Sequence, residues 1–159
     1  MKGSVILAMA AALFLAACSS GSDDGGGATT APAPIPSGPA AGSLAEFQQV
    51  VGDRVFFGFD QFTLSPQARS VLQRQAQWLN QYAQYSLTVE GHADERGTRD
   101  YNLALGERRA NAVREFLVSQ GVSPTRLRTV TYGKERPVCA QSSESCWAQN
   151  RRGVSLPAG

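Results

Sequence analysis

The chain is poor in the residues from which most reactive or metal-bearing sites are assembled. Among 159 residues there is one histidine, His92, and only three cysteines. Cys139 and Cys146 stand seven apart and match no zinc-ligand spacing, so no metal is expected, and no motif points to a cofactor. Charge of one sign is also missing: 15 Lys and Arg face 13 Asp and Glu, giving a net charge of +2. The arginines are scattered among acids and form no basic stripe with interleaved aromatics, which excludes nucleic acid as a partner. No serine or cysteine lies in a recognisable nucleophile elbow, and no pair of acids can be assigned to sugar hydrolysis, so the sequence does not read as an enzyme. No apolar run is long enough to cross a bilayer; the longest, Val5 to Ala17, falls short of the roughly 20 residues needed.

That run has a different use. Lys2 precedes it, as in a secretory signal, and it ends in Leu15, Ala16, Ala17 and Cys18, which resembles the lipobox of bacterial lipoproteins. The resemblance implies cleavage before Cys18 and acylation of that residue, and two or more acyl chains anchor a protein stably to a membrane. Ser19 matches the sorting pattern associated with the outer membrane. Residues 1–17 are therefore expected to be a signal peptide. Residues 18–42, rich in Gly, Ala, Ser, Thr and Pro, hold too little apolar surface to offset the entropy of ordering and read as a flexible tether. Prolines 32, 34, 36 and 39 stiffen its second part toward extended geometry. Residues 43–159 are long enough for one domain with one core and show no internal repeat.

Within that domain strand and helix patterns alternate. Arg54 to Phe59 is β-branched and aromatic and predicts a buried first strand. Ser65 and Pro66 supply an N-cap and a first-turn proline for a helix to about Gln84, with Ala68, Val71, Leu72, Gln75, Leu79 and Tyr82 on one stripe. Tyr85 to Glu90 alternates as a strand. A second helix is expected from about Tyr101 to Gln120, with Gly106, Ala110, Val113 and Leu117 inward and Gly121 as its stop. Arg126 to Tyr132 and Arg151 to Leu156 complete a βαβαββ order. Crossovers on one side give an α/β two-layer sandwich, a mixed sheet with helices packed on one face.

The densest chemistry lies in VEGHADERGT, residues 89–98, with the helical stretch YNLALGERRANAV, residues 101–113, just after it. A polar loop holding Asp94 runs into a helix carrying Arg109, so a carboxylate and a guanidinium can converge at one helix N-terminus, an arrangement that suits a zwitterion. These segments, with TVTYGKERP (129–137), NRRGV (150–154) and FFGFDQF (56–62), resemble the OmpA-like peptidoglycan-binding domain family and, through the lipobox and tether, its lipid-anchored members. The resemblance implies the OmpA-C-like form of the sandwich and binding to the stem peptide of the cell wall. The residue recognised there is diaminopimelate, whose side chain ends in an ammonium and a carboxylate. Asp94 would take the ammonium and the planar fork of Arg109 the carboxylate, with Asn102 and Asp60 as further members. A TolB-like periplasmic protein is the family's other implied partner.

Each of these residues has a plainer role open to it. Asp94 and Arg109 can pair with each other and close the loop on the helix. Asp60 can cap a turn, Asn102 can be a first-turn residue, and His92 can be a structural histidine that only borders the pocket. Arg151 and Arg152 can reach the site or flank the last strand. His92 beside Asp94 can also be written as a base and its orienter in a wall hydrolase, and a protein-interaction module is a third class. Finally, the leader sends the chain to an oxidising compartment, so a disulfide between Cys139 and Cys146 is expected. In the entropy model so short a loop gains only about 2 to 2.5 kcal/mol, enough to stiffen the loop but not to create the fold. Many members of the family fill this loop without cysteines.

Overall fold

The computed structural model describes residues 38–159. The leader, Cys18 and the tether up to residue 37 lie outside the described residues. Described structure starts before Ser43, in residues that dock on the body: the Gly42 N–H donates to Glu46 Oε2 (2.7 Å), and the Tyr85 hydroxyl donates to the Gly42 carbonyl (2.9 Å). Ser43 then caps a short helix, α1 (Leu44–Glu46), which continues as a π-helical turn over Phe47–Gly52. This element goes unanticipated by periodicity, being too short to display one.

β1 (Arg54–Phe56) is shorter than the sequence predicts and is not fully buried. It forms the sheet edge, paired with β4 alone; successive side chains alternate between faces, so Val55 turns to the core and Phe56, on the other face, is half exposed. α2 (Pro66–Gln81) starts where expected, with the Ser65 hydroxyl accepting from the Ala68 N–H (3.1 Å), and stops three residues earlier than predicted. β2 (Ser86–His92) is longer than predicted at its far end. α3 (Arg99–Ser119) begins two residues early, under a Thr98 cap. Its far end is a Schellman motif: the N–H of Gly121, at φ +91°, donates to Val118 and that of Val122 to Leu117. β3 (Leu127–Gly133), α4 (Glu144–Asn150) and β4 (Arg152–Ala158) follow. α4 is the second unanticipated helix; seven mostly polar residues give no stripe to read.

The sheet order is β1-β4-β2-β3, with β2 parallel to β3 and antiparallel to β4, and β4 antiparallel to β1. This is the expected mixed sheet. α2 and α3 close one face through a single apolar cluster that includes Phe47, Leu72, Leu79, Val89, Val113 and Leu117. The buried Gln75 on the α2 stripe is satisfied by the Gly52 carbonyl (2.6 Å) and the Ser155 hydroxyl (2.8 Å). One contact fixes how close α3 comes to the sheet. A Cβ on Gly91 would lie 1.8 Å from the Gly106 carbonyl oxygen, so the strand and helix touch backbone to backbone and only glycine fits. Beside it the β2–β3 register shifts at Gly91/His92, a bulge that re-aims the chain as it leaves the sheet toward Asp94. Among the described residues no helix is long and apolar enough to cross a membrane.

Candidate functional site

Where β2 ends, the chain turns through Asp94 to Gly97 and enters α3. Lys134, at the end of β3, pins this turn by donating to the carbonyls of Glu95 (3.2 Å) and Gly97 (2.7 Å). Asn102, only 1% exposed, holds it from the helix side through Nδ2 to the Arg96 carbonyl (2.8 Å). Opposite lies the loop after β1, where Asp60 sits at φ +56° and accepts a hydrogen bond from the Tyr101 hydroxyl. Between these two loops and α3 is a cavity of about 150 Å³. Asp60, Asp94, Asn102 and Arg109, the four residues singled out from the sequence, all line it, together with Phe59, Arg96 and Tyr101.

Arg109 has no exposed surface, yet its guanidinium is well satisfied. Nε donates to the Gln61 carbonyl (2.8 Å), Nη1 to His92 (2.8 Å) and Nη2 to Gly58 (3.1 Å). A guanidinium carries five N–H groups, so one remains on each Nη, the number a two-point carboxylate contact needs. Burial lowers its pKa to about 10, opposed by the nearby Asp94 charge, so the cation lies in a place that favours an incoming anion.

The Asp94 carboxylate does not pair with Arg109. Its ion-pair partners are Arg96, with Nη2 at 2.7 Å from Oδ2 and Nε at 3.2 Å from Oδ1, and Arg151, with Nη1 at 3.3 Å from Oδ2. Burial alone would raise its pKa; the hydrogen bonds from the side chain and backbone of Arg96 and from Arg151 outweigh that and hold it below the usual carboxylate value. Arg96 is itself sandwiched between the rings of Phe59 and Trp147, each 4.1 Å from its guanidinium carbon.

Other candidates separate from the cavity. His92 contributes its backbone carbonyl to Arg109, but its ring lies elsewhere, 3.4 Å from Glu90 Oε2 and stacked at 5.6 Å on Tyr132. Burial, then the charges of Arg152 and Arg136, push its pKa down to about 4. Arg151 reaches Asp94, whereas Arg152 turns to the carbonyls of Asn150 and Arg136. Sequence reasoning missed Arg96 and Trp147; the aromatic at position 147 beside a cysteine was the available signal. The expected disulfide is present, joining Cys139 and Cys146 with Cα atoms 5.0 Å apart. Among the described residues no group of three or more His, Cys, Asp or Glu side chains is placed to hold a metal ion.

A mixed four-stranded sheet under two helices defines a class of domain, and residues 56–151 match the model of one such family. The chain belongs to the OmpA family. Within it, the chain is 58% identical over 118 residues to the peptidoglycan-associated lipoprotein of Mesorhizobium japonicum, covering 74% of this chain and 70% of the relative. Similarity to the protein of the same description from Pseudomonas aeruginosa is 50% over 117 residues, covering 73% and 69%. Among solved structures, the peptidoglycan-associated lipoprotein from Burkholderia pseudomallei superposes with a TM-score of 0.65 at 42% identity, over 67% of this chain and 90% of that one. The C-terminal domain of Helicobacter pylori MotB shares the fold, with a TM-score of 0.63 at 20% identity.

Proposed function

We propose that the chain is a non-enzymatic lipoprotein that fastens the outer membrane to the cell wall by holding the diaminopimelate side chain of peptidoglycan stem peptides in the Asp94–Arg109 cavity. The observation that carries this reading is the convergence of Asp60, Asp94, Asn102 and Arg109 on one cavity of about 150 Å³. The free Nη N–H groups of Arg109 would take the ligand's carboxylate by two parallel bonds. The ammonium would share Asp94 through Oδ1, whose contacts from Arg96 are the longer ones (3.1 and 3.2 Å), with Asp60 as a second acceptor. Acylated Cys18 would supply the anchor, the tether the reach, and a TolB-like periplasmic protein would be a partner in a Tol-Pal system serving envelope integrity and division. The names of the relatives, which associate them with peptidoglycan, support the ligand class.

The test is calorimetric titration of the full chain in detergent with a muramyl tripeptide bearing diaminopimelate at its third position, beside the same peptide bearing lysine. Lysine keeps the ammonium and lacks the carboxylate. Binding of the first alone is expected. Equal binding of both would remove Arg109 from its role, and binding of neither would make a protein-interaction module the better reading.

A further inference from the structure

The function just proposed leaves the disulfide and α4 without a task, and α4 touches both arginines that hold Asp94. We infer that α4 is a positioning element for the Asp94 carboxylate, and that the Cys139–Cys146 disulfide raises ligand affinity by fixing where α4 stands. This rests on reading the cavity as the wall-peptide site.

Asp94 is oriented by two guanidiniums, and α4 holds both. Trp147 covers one face of Arg96 at 4.1 Å, while its indole N–H donates to Glu95 Oε1 (2.9 Å) in the same turn that carries Asp94. Glu144, three residues earlier on the same face of α4, accepts from Arg151 Nη2 at 2.7 Å and lies 3.7 Å from Arg96 Nη1. Arg151 in turn donates to Asp94 Oδ2 (3.3 Å) and, through Nε, to the Phe57 carbonyl (3.1 Å). Removing α4 would leave Arg96 with one aromatic wall instead of two, and Arg151 without the shorter of its two carboxylate contacts.

A seven-residue helix is marginal by itself, so its place depends on its ties. Three of those ties converge on Cys139. Cys146 bonds to it covalently from within the helix, and Asn150, at the helix end, accepts from its N–H (3.2 Å) and donates to its carbonyl (2.7 Å). Asn150 also accepts from the Val138 N–H (2.9 Å). Of these links only the disulfide is covalent, and Cys146 is buried. Opening it lengthens the free loop and lets Trp147 and Glu144 leave the two arginines. The carboxylate then has to be ordered at the moment of binding, which lowers affinity.

The test compares the full chain, oxidised and after treatment with dithiothreitol, in titrations with the diaminopimelate tripeptide. The reagent gives two electrons and two protons to the disulfide, leaving two thiols, and closes to its own cyclic disulfide. Reduction, the double variant C139S/C146S and Trp147→Ala should each weaken binding about fivefold or more, and Trp147→Phe, which keeps an aromatic face, should retain most of it. Thermal melts confirm that each form is folded at the titration temperature. A merely structural disulfide would not show the reciprocal effect. Saturating tripeptide must stabilise the oxidised form by the same factor, so a fivefold coupling moves the disulfide's potential about 20 mV lower. Equal affinity of the oxidised and reduced forms, with no shift in potential, overturns the positioning role while leaving the wall-peptide reading intact. No binding by the oxidised wild type overturns both.

Discussion

Two arginines in this fold do the same structural task at opposite ends of β2, and only one of them lines the cavity. Arg126, half buried before β3, donates to the carbonyls of Leu79, Tyr82 and Tyr85 and ties down the connection between α2 and β2. Arg109 donates to the carbonyls of Gly58, Gln61 and His92 and ties the loop after β1 to the far end of β2. What separates them is what else lies within reach. Arg109 is fully buried beside a cavity lined by two carboxylates, and burial depresses its pKa to about 10. Arg126 does not line that cavity. On the proposed reading, it is the cavity beside Arg109 that would turn a guanidinium held against backbone into a recognition group.

Replacing the two side by side gives the widest contrast. Arg109→Ala should abolish tripeptide binding and cost about 4 kcal/mol of stability, because a fully buried side chain is removed and three carbonyls, that of the buried His92 among them, lose their donor. Arg126→Ala should cost about 1 to 2 kcal/mol and leave affinity unchanged. Denaturant titration and calorimetry on the same samples check both halves, and a matched loss of affinity in Arg126→Ala would dissolve the distinction.

Acid sharpens it at the Arg109 end. His92, whose carbonyl Arg109 holds, has a folded pKa of about 4 against an ordinary 6.5. The unfolded chain therefore takes up the proton first, so this stability is fully present above pH 6.5 and falls as the pH is lowered toward 4. The loss amounts to about 3 kcal/mol at the lower limit. Asp94, held below the usual carboxylate value, keeps its contribution through that window and loses it only at still lower pH. His92→Gln should flatten the denaturation midpoint between pH 6.5 and 4; an unchanged slope would place the titrating group elsewhere.

The smallest effect concerns the rim. Tyr101 donates to Asp60 from an exposed position, so Tyr101→Phe should weaken tripeptide binding by less than about threefold. A larger loss would move Asp60 from rim to centre.

The frame of this fold was legible because its signals are periodic or carried by particular residues. Ser65 with Pro66, and Gly121, marked helix ends that the structure keeps; the inward stripe of α3 is buried, while of the α2 stripe Val71 and Tyr82 are only partly so and Ala76 and Trp78 join the buried face. Strand order and the edge position of β1 were not legible, since β4 inserts between β1 and β2 from far along the chain. Asp94, Asn102 and Arg109 could be singled out as cavity residues because they lie in one continuous motif, and Asp60 because its own segment resembles the family. Arg96 was passed over inside that same motif because its role depends on Phe59 and Trp147, two rings that meet only in three dimensions.

The hydrogen bond from Tyr85 to the Gly42 carbonyl places the point where the chain comes into the body at one end of β2, and the cavity lies beyond His92 at the other, about 25 Å along the strand. A pull between anchor and ligand would therefore run lengthwise through β2. That strand is flanked on both sides, by β3 and β4, and its ladder bonds lie across the direction of load. They would yield together in shear instead of opening one after another like a zipper, so on the proposed reading β2 would be the strand that bears the load.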